Sequence, residues 1–240
     1  MQLTATKKEA SQWKKGFQAG LPIAIGYMPI AMAYGFIAKS TGLSFLETIF
    51  MSAFVYAGAS QYMALDMIAK GIGMIEIVLT TFIVNIRHLL MSAALNEKTE
   101  KDSLWKKAVY AFGITDETFS VAAMQREKLS AGYMVGLNFI AYGSWVFFSG
   151  LGYVIGSALP DFFQQGMSVA LYAMFIGLIV PSMKENRKVV FLAFMSAIFN
   201  SCFISAGLLS AGWSIVLSTL LSAFLVEMVL WMRFSGEEKQ

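Results

Sequence analysis

One cysteine and one histidine are all that this 240-residue chain offers to thiol or imidazole chemistry. Cys202 has no partner for an internal disulfide and cannot found a cysteine-rich metal site; in an apolar helix it reads as filler. His88 has no second histidine for a metal site, and neither an H-E-x-x-H helix nor a nucleophile elbow occurs. A G-x-x-x-x-G-K-[ST] phosphate loop is missing too. No metal and no cofactor are expected, and an intramembrane enzyme would have only His88 with Asp116 or Glu117 as acid and base. Charge is equally scarce. Only 14% of residues are charged, against about 25% in a soluble domain. With 57% hydrophobic residues and a mean hydropathy of +0.62, the apolar surplus cannot be hidden in a soluble core of this size. The chain reads as an all-α integral membrane protein with the lipid bilayer as its solvent. Its net charge of +3 sits at helix ends, which fits positive-inside topology and not nucleic-acid binding.

What is present is a series of long apolar runs. Lys7, Lys8, Lys14 and Lys15 precede the first, uncharged from Gly16 to Ala38. Ala31-Met32-Ala33 has the form of a signal-peptidase site, but the run is long enough to span, so a retained helix with a cytoplasmic basic flank is expected. This span, Phe17 to Ala38, contains Pro22 near its start and Pro29 near its midpoint. Pro29 is either a packing kink or a functional helix break, because proline removes a backbone donor. Ser44-x-x-Glu47 has the form of a capping box opening a second span, Phe45 to Ala69. At its centre Gly58 serves either close packing or a second break, and Ser60 and Gln61 place buried polar groups there.

The third span, Ile72 to Leu95, holds Asn85, Arg87 and His88 at its middle. An arginine at the centre of a spanning helix costs about 2.5–3.5 kcal/mol on insertion scales, so it normally faces a partner or a water-filled path. The three residues point in different directions and predict a broad polar wall. A polar loop, Asn96 to Lys107, leads to the segment Ala108–Met124. That segment is apolar at both ends with Thr115-Asp116-Glu117-Thr118 in its middle. Asp116 and Glu117 must be protonated, paired, hydrated or outside the hydrocarbon, and Arg87 is the obvious intramembrane partner. Uncharged runs follow at 129–160, 162–183 and 189–226. The last is long enough for two helices with a turn at Ala211-Gly212-Trp213; Glu227, Trp231 and Arg233 lie towards its end.

Displacing the chain on itself by 116 residues superposes Gly16, Gly20 and Leu21 on Gly132, Gly136 and Leu137. Leu43 then falls on Leu159, Met51-Ser52 on Met167-Ser168, and Tyr56-Ala57 on Tyr172-Ala173. One transmembrane domain over 1–240 is therefore expected. It holds a first three-helix repeat (16–95), a linker with a polar helix (96–130), a weakly similar second repeat (131–209), and a C-terminal helix and tail (210–240). If 108–124 spans, there are eight transmembrane helices and the repeats are parallel. If it lies in the interface, there are seven and they are inverted. Eight is the preferred count, because it places Arg126, Lys128, Lys184, Arg187, Lys188 and Arg233 inside.

Several motifs occur in order: Gly42-Leu43-Ser44-x-x-Glu47, Met51-Ser52, Ala57-Gly58-Ala59-Ser60-Gln61, Asn85-x-Arg87-His88-x-x-Met91-Ser92 and Thr115-Asp116-Glu117. Together they resemble the AzlC family. The resemblance implies the large subunit of a bacterial two-component exporter of branched-chain amino acids, multi-pass in the cell membrane, with a small AzlD-like membrane protein as partner. A zwitterionic aliphatic substrate needs an anion site, a cation site and a dry pocket. Arg87, or helix-end amides near Pro29 or Gly58, would take its carboxylate. Asp116 or Glu117 would take its ammonium or exchange a coupling proton. His88 is either a proton relay or a hydrogen-bonded core histidine. A non-transporting membrane scaffold is the other alternative.

Overall fold

A computed structural model describes residues 2–158, 186–207, 209 and 211–237, with scattered positions between 160 and 184. The described residues are helical, with no strand, and five helices are long and apolar enough to cross a membrane. The helices are α1 (Gln2–Ser40), α2 (Phe45–Phe54), α3 (Gly58–Ala69), α4 (Met74–Lys98), α5 (Leu104–Phe112), α6 (Asp116–Ala123), α7 (Ala131–Ile155), α8 (Arg187–Ser205) and α9 (Ala211–Glu237). They divide into two compact units, residues 1–65 with 84–171 and residues 66–83 with 172–240.

The first unit is built on α1 and α7, which lie side by side and run parallel. Gly16 rests on the backbone of Tyr133, Gly20 on Leu137, and Gly35 on Ser149; reciprocally, Gly136 rests on Trp13 and Gly152 on Met32. A Cβ at Gly16, Gly35, Gly136 or Gly152 would collide with main-chain atoms of the other helix. Glycine lets the two backbones approach this closely, as small residues do between membrane helices. The seam has a near end, at Trp13 and Tyr133, and a far end, at Phe36 and Gly156.

α1 is unbroken through Pro22 and Pro29, so of the two alternatives at Pro29 the break is not made. Packing along α7 holds the helix together. Side-chain hydroxyls also take carbonyls on either side of the proline: Ser144 donates to Ala24 and Tyr62 to Ile30.

The expected second span is not one helix. α2 enters at the far end, where the Tyr153 hydroxyl donates to the Leu43 carbonyl. Its start carries the expected capping box between Ser44 and Glu47. It runs down α7 to Ala53, whose carbonyl accepts from Tyr142. The chain then breaks at Tyr56, a non-glycine residue at φ +42°, and α3 folds back beside α2. Gln61 reaches Ser52, while Tyr34 touches the Tyr62 ring and the Thr48 carbonyl together.

The segment 108–124 also departs from the single helix expected of it. α5 climbs from the near end until Asn138 donates to the Tyr110 carbonyl and Gly113 abuts Asn138. Thr115 then caps α6 through a reciprocal bond with Thr118, and α6 runs back down. Gln125 ends bonded to Tyr133 at the near end. There the Lys98 ammonium donates to the carbonyls of Ala123 and Gln125, and the main chain of Glu100 pairs with that of Leu129. The segment starts and finishes on one side of the α1–α7 pair, a correction to the expectation that it spans. Asp116 and Glu117 are not stranded in mid-helix; they form a helix's first turn, where carboxylates are favoured.

In the second unit α8 and α9 are antiparallel, with Lys188 bonded to Glu227. Their turn lies at Ala206-Gly207 and not at Ala211–Trp213. Gly207 takes φ +63° and closes α8, while Ala211 already begins α9. Ser214, Ser218 and Ser222 form a buried stripe on α9, and Gly212 lies against Glu76 and Thr80. Cys202 is exposed on α8. Met167-Ser168 and Tyr172-Ala173, most of the span expected at 162–183, and the side chains of Trp231 and Arg233 lie outside the described residues.

Candidate functional site

The tips of the two returning segments meet halfway along α7. Tyr56, at the first tip, stacks obliquely on Phe112, before the second; both rings pack on Tyr142 of α7, at centroid separations of 5.0–6.2 Å. α3 and α6 each begin at a tip and run away from the other, so both present their N-termini to this centre. The effective positive charge of each helix start is about half an elementary charge. α6 is capped by Thr115 and followed by Asp116 and Glu117. Ala57, before α3, has no side chain that could cap its first amides.

Arg87 enters from α4 and forms an ion pair with Asp116, Nη2 to Oδ2, at 3.0 Å. The two side chains are 36% and 24% exposed, so the pair is reachable from outside the protein's own packing. The Arg87 Nε is nevertheless buried and has no hydrogen-bond partner among the described residues. Glu117, one residue on, faces elsewhere: its Oε2 accepts from the Tyr27 hydroxyl at 2.7 Å. The Tyr27 oxygen also lies 2.7 Å from Thr115 Oγ1. Tyr27 stands edge-on to Trp145. The adjacent acids are thus divided between two partners.

The polar wall expected from Asn85, Arg87 and His88 resolves into separate contacts. Asn85 accepts from the Ser60 hydroxyl at 2.6 Å, tying α4 to the start of α3. His88 is half-buried and feels the charges of Arg87 and Glu117. Gln61 is fully buried in a different network. Its Oε1 accepts from the Trp145 indole at 3.0 Å and its amide donates to Ser52, which in turn bonds Ser149. Gly58 lies at the break and is closely packed. It opens α3 after the break, and a Cβ there would strike the Trp145 ring.

Three residues at the centre escaped the sequence reading: Tyr27, Tyr56 and Thr115 as a hydrogen-bonding side chain. A signal existed for the first. Tyrosines of membrane helices favour the interfaces, yet Tyr27 sits mid-way along its apolar run, one residue short of Met28-Pro29.

The family model described as AzlC protein matches residues 22–159, which include both tips, Arg87 and the two acids. The inner membrane protein YgaZ of Escherichia coli K12 is 31% identical over 187 residues, covering 75% of this chain and 76% of that protein. An uncharacterized membrane protein of Archaeoglobus fulgidus is 27% identical over 182 residues, 75% of this chain and 80% of its own length. The branched-chain amino acid transport protein AzlC of Bacillus subtilis 168 is 25% identical over 191 residues, 77% of this chain and 74% of its own. No solved structure matches the chain significantly. A membrane protein of several apolar helices, matched over more than half its length and centred on the polar contacts above, this chain belongs to the AzlC family.

Proposed function

We propose that this chain is the large subunit of a bacterial branched-chain amino acid exporter, working by alternating access with a small AzlD-like partner and driven by an ion gradient. The observation that carries the reading is the meeting of two half-length helices, N-termini inward, beside the Arg87–Asp116 pair. Half-helices whose starts point at an anionic group near the bilayer midplane are a recurring transporter device. The substrate carboxylate takes the uncapped amides of α3 and the free Nε–H of Arg87. Asp116, released from Arg87 when the carboxylate arrives, faces the ammonium. Tyr56, Phe112 and Tyr142 supply the apolar wall. One methylene is worth only about 1–3 kcal/mol in such a pocket, so valine, leucine, isoleucine and methionine are poorly separated. Gln61 belongs to the framework and not to the substrate's ligands.

In this reading the two returning segments are re-entrant hairpins, entering the bilayer from opposite sides and tolerated because they are buried in protein. The near end carries Lys14, Lys15, Lys98, Lys101, Lys106, Lys107, Arg126 and Lys128, whereas the far end of the first unit carries Lys39. Positive-inside bias makes the near end cytoplasmic. The four lysines between Asn96 and Lys107 then lie inside without an eighth helix. The parallel course of α1 and α7 supports repeats that begin in the same direction, 116 residues apart.

The test is valine efflux from cells loaded with a valine-containing dipeptide, with this chain expressed with and without an AzlD-like partner. Faster efflux than from cells lacking both is expected. Arg87→Ala should abolish the gain and Asp116→Asn should cut it sharply. No gain with the unaltered pair sinks the reading, and unaltered flux in both variants removes these residues from the site.

A further inference from the structure

The transport reading leaves Glu117 without a task, since Asp116 is the acid that meets Arg87. Glu117 is held in a short chain of hydroxyls: Thr115 Oγ1, Tyr27 Oη and Glu117 Oε2, with 2.7 Å between successive atoms. A tyrosine hydroxyl has one proton to give. With Glu117 ionised, that proton points at the carboxylate and the Thr115 hydroxyl donates to Tyr27. With Glu117 protonated, both bonds reverse: the carboxyl donates to Tyr27, and Tyr27 donates to Thr115. Either charge state therefore leaves the chain fully bonded, a property that a purely structural carboxylate does not need.

A second observation lies beside this chain. Tyr56 is 3% exposed, yet its hydroxyl has no hydrogen-bond partner among the described residues. It lies within electrostatic reach of both Glu117 and Tyr27. A buried donor left unmade costs on the order of 1–3 kcal/mol. Here it stands at the first tip, the only break among the described residues where a non-glycine residue takes positive φ.

We infer that Glu117 is the proton carrier of the transport cycle, with Tyr27 and Thr115 as its reversible hydrogen-bond chain and Tyr56 as the donor that engages it when the tips move. The coupling ion is thus a proton. The carboxylate takes one H⁺ from the acidic side and becomes a neutral carboxyl, then releases the same H⁺ to the opposite side as amino acid moves outward. The other charged or titratable groups facing this point are Tyr27 from α1, Tyr56 from the first tip, Arg87 and His88 from α4, Asp116 from α6 and Tyr142 from α7.

This inference rests on the transport reading, and one assay separates the two. The full chain with its AzlD-like partner is placed in everted membrane vesicles. Valine accumulation under an inside-acid pH gradient is compared with valine–valine exchange under no gradient. The unaltered pair should do both. Glu117→Gln should lose accumulation down to the level of vesicles without the protein, yet keep exchange. Glu117→Asp, which still titrates, should retain gradient-driven accumulation, and Tyr27→Phe should slow accumulation severalfold while sparing exchange. Accumulation by Glu117→Gln at the unaltered rate overturns the inference. So does loss of exchange in that variant at normal membrane abundance, which would make Glu117 a substrate ligand. An unaltered pair that neither accumulates nor exchanges valine refutes the transport reading itself.

Discussion

Glycine substitutions give the sharpest contrast at the residue scale. Gly26 and Gly35 both lie on α1, but an added Cβ at Gly26 meets nothing within 4 Å, whereas at Gly35 it runs into the Ser149 carbonyl. Backbone cannot yield as a side chain can, so Gly35→Ala should destabilise the protein by about 1–3 kcal/mol, the usual cost of overpacking. Gly26→Ala should be neutral. The temperature at which each detergent-solubilised variant aggregates reads this difference directly. Some residues spoke plainly in the sequence. Arg87 needed an anion and has Asp116; Ser44 and Glu47 promised a capping box and form one. Gln61 was ambiguous because an amide among alanines has the same composition whether it lines a path or fastens a tryptophan. In the fold it accepts from the Trp145 indole.

Elements were half legible. The long helices follow from apolar runs whose length is set by the bilayer, and α4, α7 and α8 fall where those runs predict. The two returning segments do not announce themselves, because hydropathy is summed over a window and is blind to direction. A run of 25 apolar residues that crosses once and one that enters and leaves have equal sums. The break at 113–115 did leave a trace: Thr115-Asp116-Glu117-Thr118 is a helix start, a capping threonine followed by first-turn acids. Weighing the acids as charges inside a span hid that grammar. Cysteine labelling tests the hairpin. With Cys202 changed to serine, Lys101→Cys and Lys128→Cys should react with a membrane-impermeant thiol reagent from the same side, and Thr41→Cys from the other. Reaction of the first two from opposite sides would show that α5 and α6 cross.

For the molecule as a whole, two kinds of contact divide the first unit. At Gly16, Gly35, Gly136 and Gly152 the α1–α7 seam brings backbone against backbone, which a side-chain rotation cannot relieve. At the tips, by contrast, contact is made by rings and by hydroxyls able to change partner. A cross-link placed across the seam, between Phe17→Cys and Tyr133→Cys, should leave valine exchange intact. One between Tyr56→Cys and Phe112→Cys should arrest it and release it on reduction. Exchange that survives the second link would mean the tips stay still during transport.

The seam therefore has a mechanical meaning. Two rods welded along their length cannot hinge against each other, so in the proposed cycle the stroke falls to the short levers. Turnover would then be a shift of a few side chains at the fulcrum, with the pillars standing still.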